Sequence, residues 1–204
     1  MTKRKGCLFV ISGPSGVGKG TLRERLFQCI PDLKYSVSVT SRKPRESEVE
    51  GKDYYFVDEE KFKKYIKENK FAEWALVYGE YKGTLLKTIQ ESTDRGKDLV
   101  LEIDVQGAMQ IKKKFPDGVF IFIAPPSWEK LEYRLRNRKT EGEKELQKRL
   151  NEAHDEMKYV QHYNYLIINH HLEKALKELA AIIISERCKI SQDELGKNNP
   201  VGDI

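Results

Sequence analysis

The chain of 204 residues has little cysteine, three residues in all. Cys7, Cys29 and Cys188 are odd in number and carry no metal-ligand spacing, which argues against a disulfide framework and a thiolate metal site. A reducing, cytoplasmic setting is expected. Long apolar runs are missing as well. The first, Cys7-Leu8-Phe9-Val10-Ile11, breaks at Gly13-Pro14, too short for a signal sequence or a membrane span. No block of one charge dominates either. The net charge is +5, yet lysines and acids are interspersed and there is no long basic tail. Neither nucleic acid nor membrane is expected as a partner, whereas small anionic ligands fit the positive balance. No internal repeat is found. A hydrophobic content of 39% over this length suffices for one domain with a buried core.

Against those absences stands one glycine-rich run: Gly13-Pro14-Ser15-Gly16-Val17-Gly18-Lys19-Gly20-Thr21. An apolar strand pattern precedes it and a helical pattern follows from Thr21 to Phe27. Strand, glycine loop, lysine and helix in that order build a phosphate cradle. Glycine lets backbone N–H groups approach phosphate oxygens, the helix N-terminus adds partial positive charge, and Lys19 adds a full one. Gly20 departs from the usual pattern, which places there a hydroxyl residue that ligates magnesium. The plain alternative is a strand-to-helix turn that holds no ligand.

Apolar runs alternate with amphipathic patterns along the rest of the chain, as in a parallel sheet covered on both faces. Strands are expected at Leu8 to Ser12, Ser36 to Thr40, Leu99 to Asp104, Val119 to Ala124 and Tyr165 to Asn169. Helices are expected at Gly18 to Cys29, Val105 to Lys114, Ser127 to Arg138, Glu143 to Val160 and Leu172 to Ser191, with Ser127 as an N-cap. The polar, tyrosine-rich segment from Arg42 to Thr84 interrupts this alternation. It is expected to insert two short strands, Tyr54 to Val57 and Phe71 to Tyr78, around a helix from Asp58 to Asn69. The charged stretch Arg138 to Glu145 is expected to form a lid, and residues 191–204 a frayed tail.

Thr40-Ser41-Arg42-Lys43-Pro44-Arg45 follows the second expected strand, at the sheet edge where ligands bind. Arg42 and Arg45, three apart around a proline, can converge on one dianion, and arginine forks pair with phosphate bidentately. A solvated basic turn is the alternative, but a nearby phosphate loop favours a second phosphate group.

Together with Glu48, Gly51, Tyr54 and Phe56, then Phe71-Ala72-Glu73-Trp74-Ala75 and Glu102-Ile103-Asp104-Val105-Gln106-Gly107, these motifs resemble the guanylate kinase family from about Gly6 to Ser185. The resemblance implies an α/β P-loop kinase fold: a five-stranded parallel sheet with helices on both faces, a small mixed lobe for GMP, and a lid. The single domain would divide into a core at 1–40 and 85–190, a lobe at 41–84 and a lid at about 134–149. It implies direct in-line transfer of the γ-phosphoryl of ATP to GMP, and to dGMP, with Mg2+. The magnesium would ride on ATP phosphates and water, with Asp104 as a candidate contact.

The resemblance also implies roles for single residues. ATP would lie on Gly13 to Thr21, with Asn169 near the adenine. Ser38, Glu73 and Thr84 would read guanine, because a carboxylate accepts from its N1–H and exocyclic amine while adenine offers neither. Arg42, Arg45 and Tyr54 would hold the GMP phosphate, with Glu102 and Asp104 between the nucleotides. Lys19, Arg42, Arg134, Arg138 and Arg149 would stabilise the moving phosphoryl group, Arg134 and Arg138 sharing a helix face. One departure touches the site: where the family commonly has a second tyrosine, this chain has Lys82. Lys82 either replaces it as a cation or points away. Two other classes compete, a guanylate-kinase-like protein-binding module and a kinase for another nucleoside monophosphate. The oligomer is expected to be a monomer or homodimer.

Overall fold

The protein is described by a computed structural model over residues 4–77, 79–137 and 143–189. In chain order the elements are β1 (Leu8–Ser12), α1 (Lys19–Cys29), β2 (Lys34–Tyr35), β3 (Ser38–Thr40), β4 (Tyr54–Phe56), α2 (Glu59–Lys67), β5 (Phe71–Val77), β6 (Glu80–Leu85), α3 (Leu86–Asp94), β7 (Leu99–Glu102), α4 (Val105–Lys114), β8 (Val119–Ala124), α5 (Trp128–Arg136), α6 (Glu143–Met157), a 3-10 turn (Val160–His162), β9 (Tyr165–Ile168) and α7 (Leu172–Arg187).

The main sheet has five strands in the order β2-β7-β1-β8-β9. Every pairing in it is parallel. Its central strands, Leu-Phe-Val-Ile-Ser and Val-Phe-Ile-Phe-Ile-Ala, are buried at every position, as strands covered on both faces must be. On one face Phe9, Ile11 and Ile121 pack against Leu22 and Leu26 of α1 and Leu179 and Ile183 of α7. On the other, Val10, Leu99 and Leu101 pack against Ile89 of α3 and Ile111 of α4. This is the expected α/β architecture. The ends of the neighbouring strands β1 and β7 open side by side, at the edge where such sheets bind ligands.

A second sheet of four strands, ordered β4-β3-β6-β5, stands beside this edge. It is mixed, with β3 parallel to β4 and antiparallel to β6. Its small core is aromatic: Phe62 of α2, fully buried, stacks on Phe71 at 4.4 Å and on Tyr81 at 5.2 Å between ring centroids. Gln110 of α4 joins the two sheets through the edge strand β5. Its side-chain amide accepts from the Trp74 N–H at 3.2 Å and donates to the Trp74 carbonyl at 2.7 Å.

The expected core strand Ser36 to Thr40 is corrected. The core edge is Lys34–Tyr35, paired with Leu99 and Val100, whereas Ser38–Thr40 pairs with β4 and β6. The chain changes sheets because Val39 buries itself against Phe62 and Phe71, in the core of the second sheet. The strand expected to reach Asp104 stops at Glu102, since Asp104 turns out to cap α4. The helix expected to run to Val160 ends at Met157 and passes into the 3-10 turn. Strand β6 and helix α3 were not anticipated; Gly83 interrupts the strand pattern, and only Leu86, Ile89 and Thr93 mark the inner face of the helix. Ser127 caps α5 as expected, accepting from the Lys130 N–H at 3.2 Å. Residues 138–142 of the expected lid and the expected tail at 191–204 lie outside the described residues. Among the described residues no helix is long and apolar enough to cross a membrane.

The second sheet depends on Phe62. Phe62→Ala removes a fully buried ring and should cost about 3–5 kcal/mol in denaturant-induced unfolding. Far-ultraviolet and tryptophan signals should show the loss, the latter because Trp74 lies 6.0 Å from Tyr81 in the same cluster.

Candidate active site

Between β1 and α1 the glycine-rich loop turns back on itself, with positive φ at Gly13, Gly16 and Gly18. Gly18 caps α1 at φ 95°, and a Cβ there would stand 2.8 Å from the Asn169 Nδ2. That amide donates to the Val17 carbonyl at 2.7 Å. Arg134 braces the same place from α5, donating to the Asn169 carbonyl at 3.0 Å and to the Val17 carbonyl at 3.4 Å. Asn169 and Arg134, expected at the adenine and at the moving phosphoryl group, are thus both tied to the loop at Val17. Lys19 folds across the loop and donates to the carbonyls of Gly13 and Pro14.

Gly13, Ser15 and Lys19 of this loop form one wall of a cavity of about 590 Å³. The second sheet supplies the opposite wall through Ser38, Tyr54, Glu73 and Lys82. Glu102 and Asp104, at the end of β7, line the cavity as well. A fourth side comes from α6 and the turn after it, with Glu152, Asp155, Glu156 and Tyr159.

Glu73 is the most deeply held of these groups, 3% exposed. It faces Thr84, itself fully buried, across the β5–β6 pairing. Burial pushes the Glu73 carboxyl up to about 7, with Thr84 acting in the opposite direction. The carboxylate lies directly over α4. A Cβ on Gly107 would fall 2.6 Å from Glu73 Oε2, so only glycine leaves room for it. Gly107 belongs to the Asp-x-Gln-Gly motif, where the sequence marked it without revealing this purpose.

The basic turn is organised by a carboxylate. Glu48 takes both terminal nitrogens of Arg42 at 2.7 Å and the Arg45 backbone N–H at 2.9 Å. Arg42 holds the Glu48 carboxyl down at about 2. The Tyr54 ring then has two cations near it, with Arg42 Cζ at 5.3 Å and Lys82 Nζ at 5.7 Å from its centroid. Burial, then the nearby Arg42, push the Lys82 ammonium below its usual range. Lys82 lines the cavity, Arg42 lies against the Tyr54 ring, and the Arg45 side chain is exposed.

Asp104 is an N-cap: one oxygen accepts from the backbone N–H groups of Gln106 at 2.8 Å and Gly107 at 3.0 Å. Glu156 was not singled out from the sequence. Burial pushes its carboxyl up to about 7, while Lys19 and the Ser15 amide draw it down. Arg149 lies on α6 and pairs with Glu145 at 3.6 Å. Arg138 lies outside the described residues. Among the described residues no cluster of three or more His, Cys, Asp or Glu is placed to hold a metal ion.

The arrangement can bind two anions, one on the loop and one at the Arg42–Tyr54–Lys82 cluster, with a buried carboxylate available to a base that donates. A family model described as guanylate kinase matches residues 5–186. The guanylate kinase of Caldanaerobacter subterraneus subsp. tengcongensis is 49% identical over 192 residues, which are 94% of this chain and 93% of that protein. That of Syntrophomonas wolfei is 48% identical over 92% of this chain and 96% of its own length. The crystal structure of guanylate kinase from Anaplasma phagocytophilum is 34% identical and matches with a TM-score of 0.75, covering 92% of this chain and 89% of that one.

Gly107→Ala tests the packing of the buried carboxylate. The added methyl group should displace Glu73 and cost about 1–3 kcal/mol in thermal or denaturant unfolding. In a Glu73→Ala background, where the clash is gone, the same change should be nearly neutral.

Proposed function

The chain belongs to the guanylate kinase family, and from that premise we propose how its residues share out the reaction. The activity is ATP:GMP phosphotransfer. An oxygen of the GMP phosphate forms a bond to the γ-phosphorus of ATP, the bond to the β,γ-bridging oxygen breaks, and ADP and GDP result. The observation that carries the assignment of roles is the single cavity with the phosphate loop on one wall and buried Glu73 on the other. A binding module would have no use for a braced loop with Lys19 across it, and a kinase for another base would have no use for Glu73.

Gly13 to Thr21 cradle the ATP phosphates, and Lys19 moves from its carbonyl partners to the phosphate oxygens as charge develops. Arg134 and Asn169 serve ATP through the loop they brace. Arg42, Arg45, Tyr54 and Lys82 hold the GMP phosphate, Lys82 taking the place of the family's second tyrosine with a full positive charge. Glu48 keeps Arg42 and the Arg45 backbone in place for this. Glu73 accepts from the N1–H and amine of guanine, with buried Ser38 and Thr84 beside it. Glu102 and Asp104 stand between the nucleotides, and Arg134, Arg149 and Arg138, the last outside the described residues, are assigned by the family resemblance to stabilising the transferring group.

Activity in this family calls for a divalent metal, and we assign Mg2+. The donor set fits an ion that arrives on ATP. Gly20 has no hydroxyl to offer, and one oxygen of Asp104 is already taken by two backbone amides. When bound, the ion would supply charge neutralisation at the phosphates; Asp104, with one oxygen uncommitted, is the residue that would contact it directly or through water. The oligomer is assigned as a monomer or a homodimer. The three cysteines are free, in keeping with a cytoplasmic setting.

Measured ADP release should be rapid with ATP and GMP and fall by about 10⁴-fold or more with AMP, because a site built to accept guanine's protons leaves Glu73 unpaired on adenine. CMP and UMP should be equally poor, and absent turnover with GMP overturns the reading. A pH series isolates Glu73. Its ionised form is the acceptor, so below about 7 GMP affinity should fall about tenfold per pH unit beyond the change caused by the nucleotide's own phosphate. Glu73→Gln should remove that extra slope and most of the GMP/AMP selectivity. Stability runs the other way. Between 4.5 and about 7 the folded state holds the Glu73 proton more tightly than the unfolded state. This contribution is therefore complete at low pH and is lost as pH rises through that window.

A further inference from the structure

Glu102 stands at the cavity wall with one buried oxygen, Oε2, that accepts no hydrogen bond from any described residue. The cation beside it is Arg23 of α1, whose Nη1 lies 3.4 Å away. Arg23 comes one helical turn after Lys19, on the same face of the same helix. Its guanidinium is itself held in place. Cζ lies 4.6 Å from the centroid of the Tyr35 ring on β2, and Phe27 packs edge-on against that ring at 6.1 Å. Glu24 stands 3.7 Å from the outer nitrogen. Burial pushes the Tyr35 hydroxyl up to about 12, so this neighbour stays neutral and leaves Glu102 as the inward anion facing Arg23.

Glu102 also lies close to the first turn of α1: a Cβ built at Gly20 would meet its Oε1 at 3.9 Å, an ordinary van der Waals contact. One oxygen of Glu102 thus lies beside Gly20 and the other beside Arg23, one turn apart on the helix that carries Lys19.

We propose that Arg23 is a positioning residue for the acceptor nucleotide. It fixes Glu102 at the cavity wall and ties that carboxylate to the helix of the donor phosphate loop. A half-buried carboxylate without its counter-charge would turn toward water, and would no longer stand where the acceptor meets it. The inference rests on the assignment of Glu102 to the acceptor side.

The test is a double-mutant cycle with Arg23→Met and Glu102→Gln, read as KM for GMP, KM for ATP and kcat, with Arg23→Lys as the conservative variant. Thermal unfolding establishes that each variant is folded, and Arg23→Gln replaces Arg23→Met if the latter is not. Arg23→Met should raise KM for GMP about tenfold, the range for one charged hydrogen-bonding partner, and leave KM for ATP within about threefold. Arg23→Lys should keep KM for GMP near the original value. In the Glu102→Gln background Arg23→Met should add less than about twofold, because residues acting through one contact are not additive. Equal rises for both nucleotides, an unchanged KM for GMP, or additive effects of the two substitutions overturn the proposal. A Glu102→Gln variant with unaltered KM for GMP removes the acceptor assignment of Glu102 itself, a separate failure visible in the single variant.

Discussion

Two polyanions must meet in a cavity of about 590 Å³, and their repulsion is the constraint on which the rest of the structure depends. Two unit charges 4 Å apart in a partly buried site repel by about 4 kcal/mol, and each nucleotide brings more than one charge. Countering this takes cations on both walls, and the chain supplies them from different elements. Lys19 stands at the loop on one side, and the Arg42–Tyr54–Lys82 cluster on the other. Neither group is left to find its own position. Lys19 rests on loop carbonyls, Arg42 on Glu48, and Lys82 beside Tyr54. The entropy of ordering long side chains is largely spent in folding rather than in binding.

The carboxylates in such a cavity are a liability unless each is assigned to a donor or kept neutral. Asp104 spends one oxygen on capping α4. Glu48 is held ionised by Arg42 outside the cavity wall. Glu73 is pushed by burial toward its neutral form, which lowers the cost of keeping it inside the protein until a base with two donors faces it. The same logic explains Gly107: the carboxylate can be buried this deeply only if the helix beneath it lacks a side chain. If Glu73 reads the base as proposed, base selection depends in turn on the glycine packed beneath it.

Much of this was legible in the sequence where local pattern and tertiary role coincide. The run from Leu8 to Thr21 reads correctly because strand, loop and helix follow one another and each has its own signature. Glu73 is legible only through the family resemblance; a lone acid in a strand carries no sign of burial. Ser38 to Thr40 were placed in the wrong sheet because β-branched residues favour strands without naming the partner strand, and Val39 found its partners in Phe62 and Phe71. Asp104 looked like a strand-end acid because capping depends on where the helix begins, a boundary that sequence places poorly. Asn169 and Arg134 illustrate a different limit: their residue types suit nucleotide contact, but the hydrogen bonds that tie both to the Val17 carbonyl are visible only when the carbonyl is seen.

The helix α6 shows how these electrostatic arrangements interlock. Glu156 faces Lys19 and the Ser15 amide, the groups that the phosphate loop offers to an anion. Arg149 lies seven residues earlier, two turns along the same helix and on the same face. A triphosphate on the loop brings negative charge beside Glu156, whose carboxyl burial already pushes up to about 7, and so favours its protonated form further. In the proposed assignment the donor phosphates and Glu156 would therefore compete for the same positive groups, and neutralising this carboxylate would be part of the electrostatic cost of seating ATP. The α6 side of the cavity would then respond to the donor as the Glu73 wall would to the acceptor, with the two carboxyl groups, both raised by burial, shifted in opposite directions.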